Sequence, residues 1–363
     1  MDIKAYRRYG LVIMATAVLC APFWGSLMQS AGTQLTAGII QSLVVKPTPP
    51  LLPVPTPIYP PVENRENSSQ YSFINPLLFT ETDKRFFPEF NAFNNQINAY
   101  IRSAINSRRA DSVSVYYRDM NSGHWTGVNE DKSYEPSSML KVLVMISYYM
   151  KASDPLASTS VDSFLAQKLY YPGSDVTGQN YPPMNVLPAG SYSMQDLIDD
   201  MIVNSDNVAL NVLESNDQDG FNHVYKDFRL PPVPSGDPTD YMTAKSYAVV
   251  FRTLYNSTYL PWDISEKALK LLASTTFTQG LVAGVPPGTV VSHKFGEHTN
   301  IGPNNRVMWH ELHDCGIVYY DSRPYLLCVM TSGQDFSKLE TVVSGISTMV
   351  YQYVSALPPP VKN

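Results

Sequence analysis

Apolar residues recur at helical spacing near residue 90 and again toward residue 350, with strand-like alternation between. Phe90, Phe93, Ile97, Ile101 and Ile105 fall three or four apart and predict an opening amphipathic helix. Ser112 to Arg118 alternates as a strand, Asn121-Ser122-Gly123 carries turn chemistry, and His124 to Val128 returns as a second strand. After a short polar stretch, Val142 to Met150 is almost wholly apolar and predicts a buried helix. Gly316 to Tyr320 and Tyr325 to Met330 read as a hairpin around Asp321-Ser322-Arg323-Pro324. Leu339, Val342, Val343, Ile346, Met349 and Val350 then make the buried stripe of a terminal helix. The stretch of about 151–262 reads as helices and loops with little strand signal. Within it Ser193 is placed as an N-cap, with Asp196 three residues on, for a helix carrying Leu197, Ile198, Met201 and Ile202. That helix ends at Asn204, so Ser205-Asp206-Asn207 occupies the connection before a helix over Val208 to Leu213.

The N-terminal part has a different composition. Lys4, Arg7 and Arg8 precede Tyr9 to Met28, about twenty uncharged residues, the length of one membrane span with its basic end in the cytoplasm. The uncharged stretch runs on to Val45, which favours an uncleaved anchor over a signal peptide. Leu19 before Cys20 is too large for a lipoprotein signal, so Cys20 reads as an apolar residue of the span. From Pro47 to Pro61 roughly every second residue is proline, giving a polyproline spacer of about 45 Å that the polar run Glu63 to Gln70 continues. The expected plan is a cytoplasmic end at 1–8, an anchor at 9–28, a stalk at 29–84, a folded domain at 85–357 and a tail at 358–363. Such a plan would make the protein membrane-anchored, with its folded domain extracytoplasmic.

Across 363 residues, 44% hydrophobic content supplies a core, and a net charge of -6 with no basic run excludes a nucleic-acid footprint. Counting back from the hairpin turn pairs Cys328 with Ile317, leaving Cys315 on the diagonal. Diagonal neighbours are usually too far apart to bridge, so two buried free thiols are expected. His293, His298, His310 and His313 form a loose cluster whose spacing fits no strong zinc pattern, and neither metal nor organic cofactor is expected.

Candidate chemistry lies in three short runs in fixed order: Ser138-Met139-Leu140-Lys141, Ser205-Asp206-Asn207 and Lys294-Phe295-Gly296. A serine hydroxyl is a weak nucleophile until a neighbour takes its proton. On a helix, Lys141 lies one turn from Ser138 and on the same face. A lysine becomes a base when desolvation or a nearby positive charge lowers its pKa. Lys294 can supply that charge, and Ser205 can relay protons. Taken alone, Ser138 fits a helix cap better than a nucleophile; taken together, the four residues make a set for acyl transfer without histidine.

The ordered triplet resembles the active-site serine β-lactamase and penicillin-binding protein superfamily, in a class A-type arrangement over about residues 85–357. The resemblance implies an α/β plus all-α fold, a five-stranded antiparallel sheet flanked by helices with a helical subdomain inserted at about 151–262. It implies Ser138 as nucleophile, Lys141 as general base, Ser205 as proton relay and Asn207 as the holder of a substrate amide. Lys294 would attract the substrate carboxylate, and Gly296 would let backbone approach the ligand. The amides of Glu297 and Ser138 would form an oxyanion hole. Asp206 would be structural.

Two departures bear on activity. Phe295 stands where the family usually has a hydroxyl residue; the loss is small if its ring enters the core and alters substrate range if it faces the cleft. The segment Phe228 to Tyr241, where class A enzymes carry the glutamate that activates the deacylating water, holds only Asp237 and Asp240 as carboxylates. Glu297 is another candidate base, though its strand position can turn it away. The expectation is a class A β-lactamase-like serine hydrolase that forms an acyl-enzyme with β-lactams and hydrolyses the lactam ring, with slow deacylation. A peptidoglycan DD-peptidase acting on D-Ala-D-Ala-type peptides and a non-catalytic wall-binding or sensor module remain the alternatives. A monomer in the peptidoglycan environment is expected in each case.

Overall fold

The computed structural model describes residues 63–65, 72–74, 77–80, 87–156, 159–173, 181, 187–233, 240–321 and 323–358. The proposed anchor at 9–28 and the proline-rich run lie outside them. Among the described residues no helix is long and apolar enough to cross a membrane.

The short strands β1 (Glu63–Arg65) and β2 (Leu77–Thr80) pair antiparallel. Helix α1 (Asn91–Asn106) leads into β3 (Ser112–Asp119), β4 (Trp125–Val128) and the short β5 (Ser133–Tyr134). A 3-10 turn, Ser137–Leu140, runs into α2 (Lys141–Ala152). The helical region follows, with α3 (Val161–Leu165), β6 (Lys168–Tyr171), β7 (Gly190–Ser193), α4 (Met194–Val203), α5 (Asn207–Asn216) and α6 (Gln218–Asp227). Then come β8 (Met242–Thr243), α7 (Ala244–Asn256), α8 (Trp262–Leu272), β9 (Val290–Ile301), β10 (Val307–Tyr319), β11 (Tyr325–Gly333) and α9 (Phe336–Ala356). Five of these strands form an antiparallel sheet in the order β4-β3-β11-β10-β9, which leaves β9 as an edge.

Side chains alternate faces along a strand, so each face carries its own core. Val113, Val115, Tyr117, Leu327, Val329, Leu312 and Phe295 point to α1 and α9 and pack with Phe93, Ile97, Ile101, Val342, Val343 and Ile346. Tyr116, Cys328, Met330, Cys315 and Ile317 point the other way, into the helical region around α2, α7 and α8. The expected fold class is the one observed. The helix stripes hold except at the end of α1, where Ala104 is buried and Ile105 is 40% exposed. The helical region contains strand pairs that its patterning did not announce: β6 pairs with β7, and β8 reaches back to β5.

Two expectations are corrected. First, Cys315 and Cys328 lie directly opposite each other and are bridged. The difference lies in the turn: Val318 pairs with Tyr325, so Tyr319 and Tyr320 leave the β10–β11 ladder and the connection is longer than four residues. Register moves by two, and a diagonal pair becomes a direct one. Second, part of the span assigned to the stalk is folded. Besides the β1–β2 pair, the amides of Ser72, Phe73 and Ile74 all donate to the Glu266 carboxylate of α8 at 2.6–2.9 Å. Tyr319 donates its hydroxyl to Phe73 O at 3.0 Å.

Candidate active site

The turn that carries Ser138 is held from three sides. Tyr247 of α7 donates its buried hydroxyl to Met139 O at 2.6 Å. The amide of Glu135 donates to Glu311 Oε2 at 3.0 Å, and His313 Nε2 lies 3.1 Å from Glu135 O, both partners on β10. Thr331 N donates to His313 Nδ1, so that ring carries its proton on Nε2, toward Glu135 O. From β9, Gly296 approaches so closely that a Cβ there would meet Pro136 O at 2.5 Å and Met139 Cγ at 2.8 Å. Glycine is required by that approach. Ser137, directly before Ser138, has a φ of 48°, a strained conformation for a residue with a side chain. Ser138 itself is partly exposed.

Lys141, the first residue of α2, is 1% exposed. Its Nζ lies 2.5 Å from Ser205 O, 2.6 Å from Asn207 Oδ1 and 3.2 Å from Ser205 Oγ. Ser205 reaches it from the α4–α5 connection that the sequence located, and Asn207 from the first residue of α5, one position earlier than the expected helix start. Asp206 caps α5 by accepting from Ala209 N at 2.7 Å, the structural part expected of it, and Ser205 is held at a φ of 55°. Lys294 of β9 is fully buried; it donates to Ser205 Oγ at 2.8 Å and to Phe295 O at 3.1 Å. One serine hydroxyl thus touches both amines.

Two ammonium groups cannot both bond one hydroxyl in a dry site without mutual repulsion. Burial pushes Lys141 down to about 7, against the opposing pull of Asp206, Glu297 and Glu214. Burial and then the charge of Lys141 lower Lys294. Lys294 Nζ sits 4.1 Å from the centre of the Phe295 ring. Ser205 O and Asn207 Oδ1 only accept, so Lys141 donates to both.

Phe295 is 4% exposed, stacked on Phe277 at 4.1 Å and edge-on to Tyr181 at 5.6 Å. Its ring enters the core. Glu297 shares that face of β9 and is half-buried. Of the two aspartates in the segment of about 228–241, Asp237 lies outside the described residues and Asp240 is exposed. Among the described residues the four histidines form no metal-holding group: His293 bonds buried Asp314 at 2.8 Å, His298 lies opposite Glu311 in the β9–β10 ladder, His310 pairs with Thr299 at 3.0 Å, and His313 holds Glu135.

The sequence reading passed over Glu135. Its Oε1 accepts from Ser137 N at 3.3 Å, while Oε2 is buried and finds no partner among the described residues. Burial pushes its carboxyl up to about 7, helped by Glu311 and Asp240. The available signal was a carboxylate three residues ahead of Ser138.

The beta-lactamase enzyme family's sequence profile matches residues 92–354. Solved structures are similar in fold at low identity. A mutant of PBP-A captured as an acyl-enzyme with penicillin G has a TM-score of 0.60 at 17% identity, over 73% of this chain and 97% of that one. TLA-1 extended-spectrum beta-lactamase has a TM-score of 0.60 at 16% identity, over 72% and 98%. A beta-lactamase from Chitinophaga pinensis has a TM-score of 0.61 at 16% identity, over 73% and 100%. A search of curated proteins finds no match. With the profile spanning the whole sheet and the helical region between, this chain belongs to the beta-lactamase enzyme family.

Proposed function

We propose that the protein forms an acyl-enzyme with β-lactams through Ser138. Lys141 takes the hydroxyl proton as Ser138 attacks the lactam carbonyl, and the amides of Ser138 and Glu297 receive the developing oxyanion. Lys141 returns the proton through Ser205 to the leaving nitrogen. Lys294 and Asn207 hold the substrate carboxylate and amide. The observation that carries this reading is the placement of Ser205 Oγ between the two amines, 3.2 Å from Lys141 and 2.8 Å from Lys294.

Release of the acyl group is the slow half of the proposed cycle. No glutamate stands between Phe228 and Tyr241, and exposed Asp240 is poorly placed to orient water. That observation favours a penicillin-binding DD-peptidase as the second reading. Stopped-flow mixing with a chromogenic cephalosporin tests both steps. A burst of about one equivalent followed by slow turnover is expected; steady turnover without a burst contradicts the slow step, and no reaction contradicts acylation. The natural setting we propose is extracytoplasmic, on an anchor at 9–28, and the bridge between Cys315 and Cys328 suits such an oxidising compartment.

A further inference from the structure

At the sheet edge opposite β9, an acidic protein has assembled a group of cations. Register puts Tyr116, Arg118 and Trp125 on one face of β3 and β4, with Arg118 directly opposite Trp125. Tyr116 stacks on Trp125 at 5.5 Å, forming an aromatic shelf. Lys245, Ala248, Val249 and Arg252 share one face of α7 and close a cavity of about 210 Å³ over that shelf. Lys245 Nζ sits 5.0 Å from the centre of the Trp125 ring and 3.3 Å from exposed Asp131. An adjoining groove shares Lys245, Val249 and Arg252 and adds Arg229 and Asp227.

Arg118 and Arg252 are both half-buried, and among the described residues neither has a carboxylate partner. Burial and then the charge of Arg118 push the Arg252 guanidinium below its ordinary value. The acids on this rim do not relieve them. Asp131 is engaged by Lys245, Glu130 lies over Gly127, and Asp227 accepts from Tyr259 at 2.7 Å. Two adjacent partly desolvated guanidiniums with no carboxylate partner among the described residues are a cost to the ligand-free fold. Their forked donors match phosphate oxygens bidentately. Their combined charge balances the about -1.5 to -2 of a phosphomonoester at neutral pH.

We infer that this cleft binds a phosphomonoester group, with Arg118 and Arg252 gripping its oxygens, Lys245 at the rim and the Tyr116–Trp125 shelf against the ligand's organic body. The site is separate from Ser138 and independent of the reaction proposed there. Its test is titration of the full-length protein, in mild detergent at fixed ionic strength, with inorganic phosphate and with glycerol 3-phosphate. Tryptophan fluorescence and Tm are the readouts, with chloride as the control anion. Saturable binding in the low-millimolar range or tighter is expected, with glycerol 3-phosphate at least equal to phosphate. Arg118→Gln and Arg252→Gln should each weaken it about tenfold or more. Both variants should keep their labelling by penicillin, and Arg252→Gln should hold or raise the ligand-free Tm, because a like-charge contact is removed. No saturation by about 20 mM of either compound overturns the inference. So does unchanged affinity in both variants, or an Arg252→Gln protein with a lowered ligand-free Tm and an intact phosphate response, which assigns the arginine to packing.

Discussion

Replacing Lys141 by arginine keeps a positive charge at the start of α2 and removes the means of accepting a proton, because guanidinium stays protonated in proteins. The structure sets the size of the effect. Depression of the Lys141 pKa from 10.5 to about 7 corresponds to about 5 kcal/mol of bias toward the neutral amine. With a midpoint near 7, about nine-tenths of the protein holds Lys141 neutral at pH 8 and about one-tenth at pH 6. Acylation by benzylpenicillin should therefore fall about tenfold between those pH values in the parent protein. In Lys141→Arg it should be slower by about a thousandfold or more at both. Linkage gives the same pKa a second readout. Between pH 7 and 10.5 the unfolded chain binds a proton that native Lys141 has released. This group's contribution to stability therefore rises with pH across that window and is lost as pH falls to 7. The gain from pH 7 to pH 9 is about 2 kcal/mol, and Lys141→Met should lack it in denaturant unfolding at the two pH values. Acylation that is flat from pH 5.5 to 8.5, or near-normal acylation by the arginine variant, would refute the assignment of Lys141 as base.

Three further outcomes are expected. The bridge between Cys315 and Cys328 closes a short loop and should contribute about 3 kcal/mol. Of the three cysteines in the chain, only Cys20 should react with a thiol reagent after denaturation without reductant; three reactive thiols would contradict the bridge. Glu135, with its carboxyl pushed up to about 7 against an ordinary 4.5, binds a proton in the native state that the unfolded chain has lost. Its contribution therefore makes stability fall as pH rises from about 4.5 through 7, and Glu135→Gln should flatten that fall; an unchanged pH profile of unfolding would show the carboxyl to be unperturbed. In the burst experiment, the penicilloyl adduct should persist for minutes by intact mass, and an adduct cleared within the mixing time would point to a competent deacylation base elsewhere.

What could be read from the sequence was whatever depends on short-range period. The stripes of α1 and α9 and the alternation of β3 are properties of neighbouring residues, and the structure buries Phe93, Ile97, Ile101, Val342, Val343 and Ile346 as expected. The cap at Ser193 was legible for the same reason: its side chain accepts from Asp196 N at 3.0 Å. The α4–α5 connection was legible too, and it carries Ser205, with Asn207 at the start of α5, to Lys141. Contacts set by register were not. The cysteine pairing turned on two tyrosines leaving the ladder before the turn, which no local pattern reports. Glu135 owes its environment to Glu311 and His313, more than 170 residues away. Arg118 and Arg252 line one cavity only because α7 packs over β3 and β11. The docking of residues 72–74 on Glu266 was hidden by composition, since a polar segment beside a proline run looks like linker until a distant carboxylate gathers its amides.

The central claim is that Ser138 is the nucleophile, and intact mass after penicillin treatment tests it most directly. The parent protein should gain one penicilloyl group, and Ser138→Ala, which removes only an oxygen from a partly exposed turn residue, should gain none while keeping its Tm. An adduct of the same mass on Ser138→Ala would contradict the account.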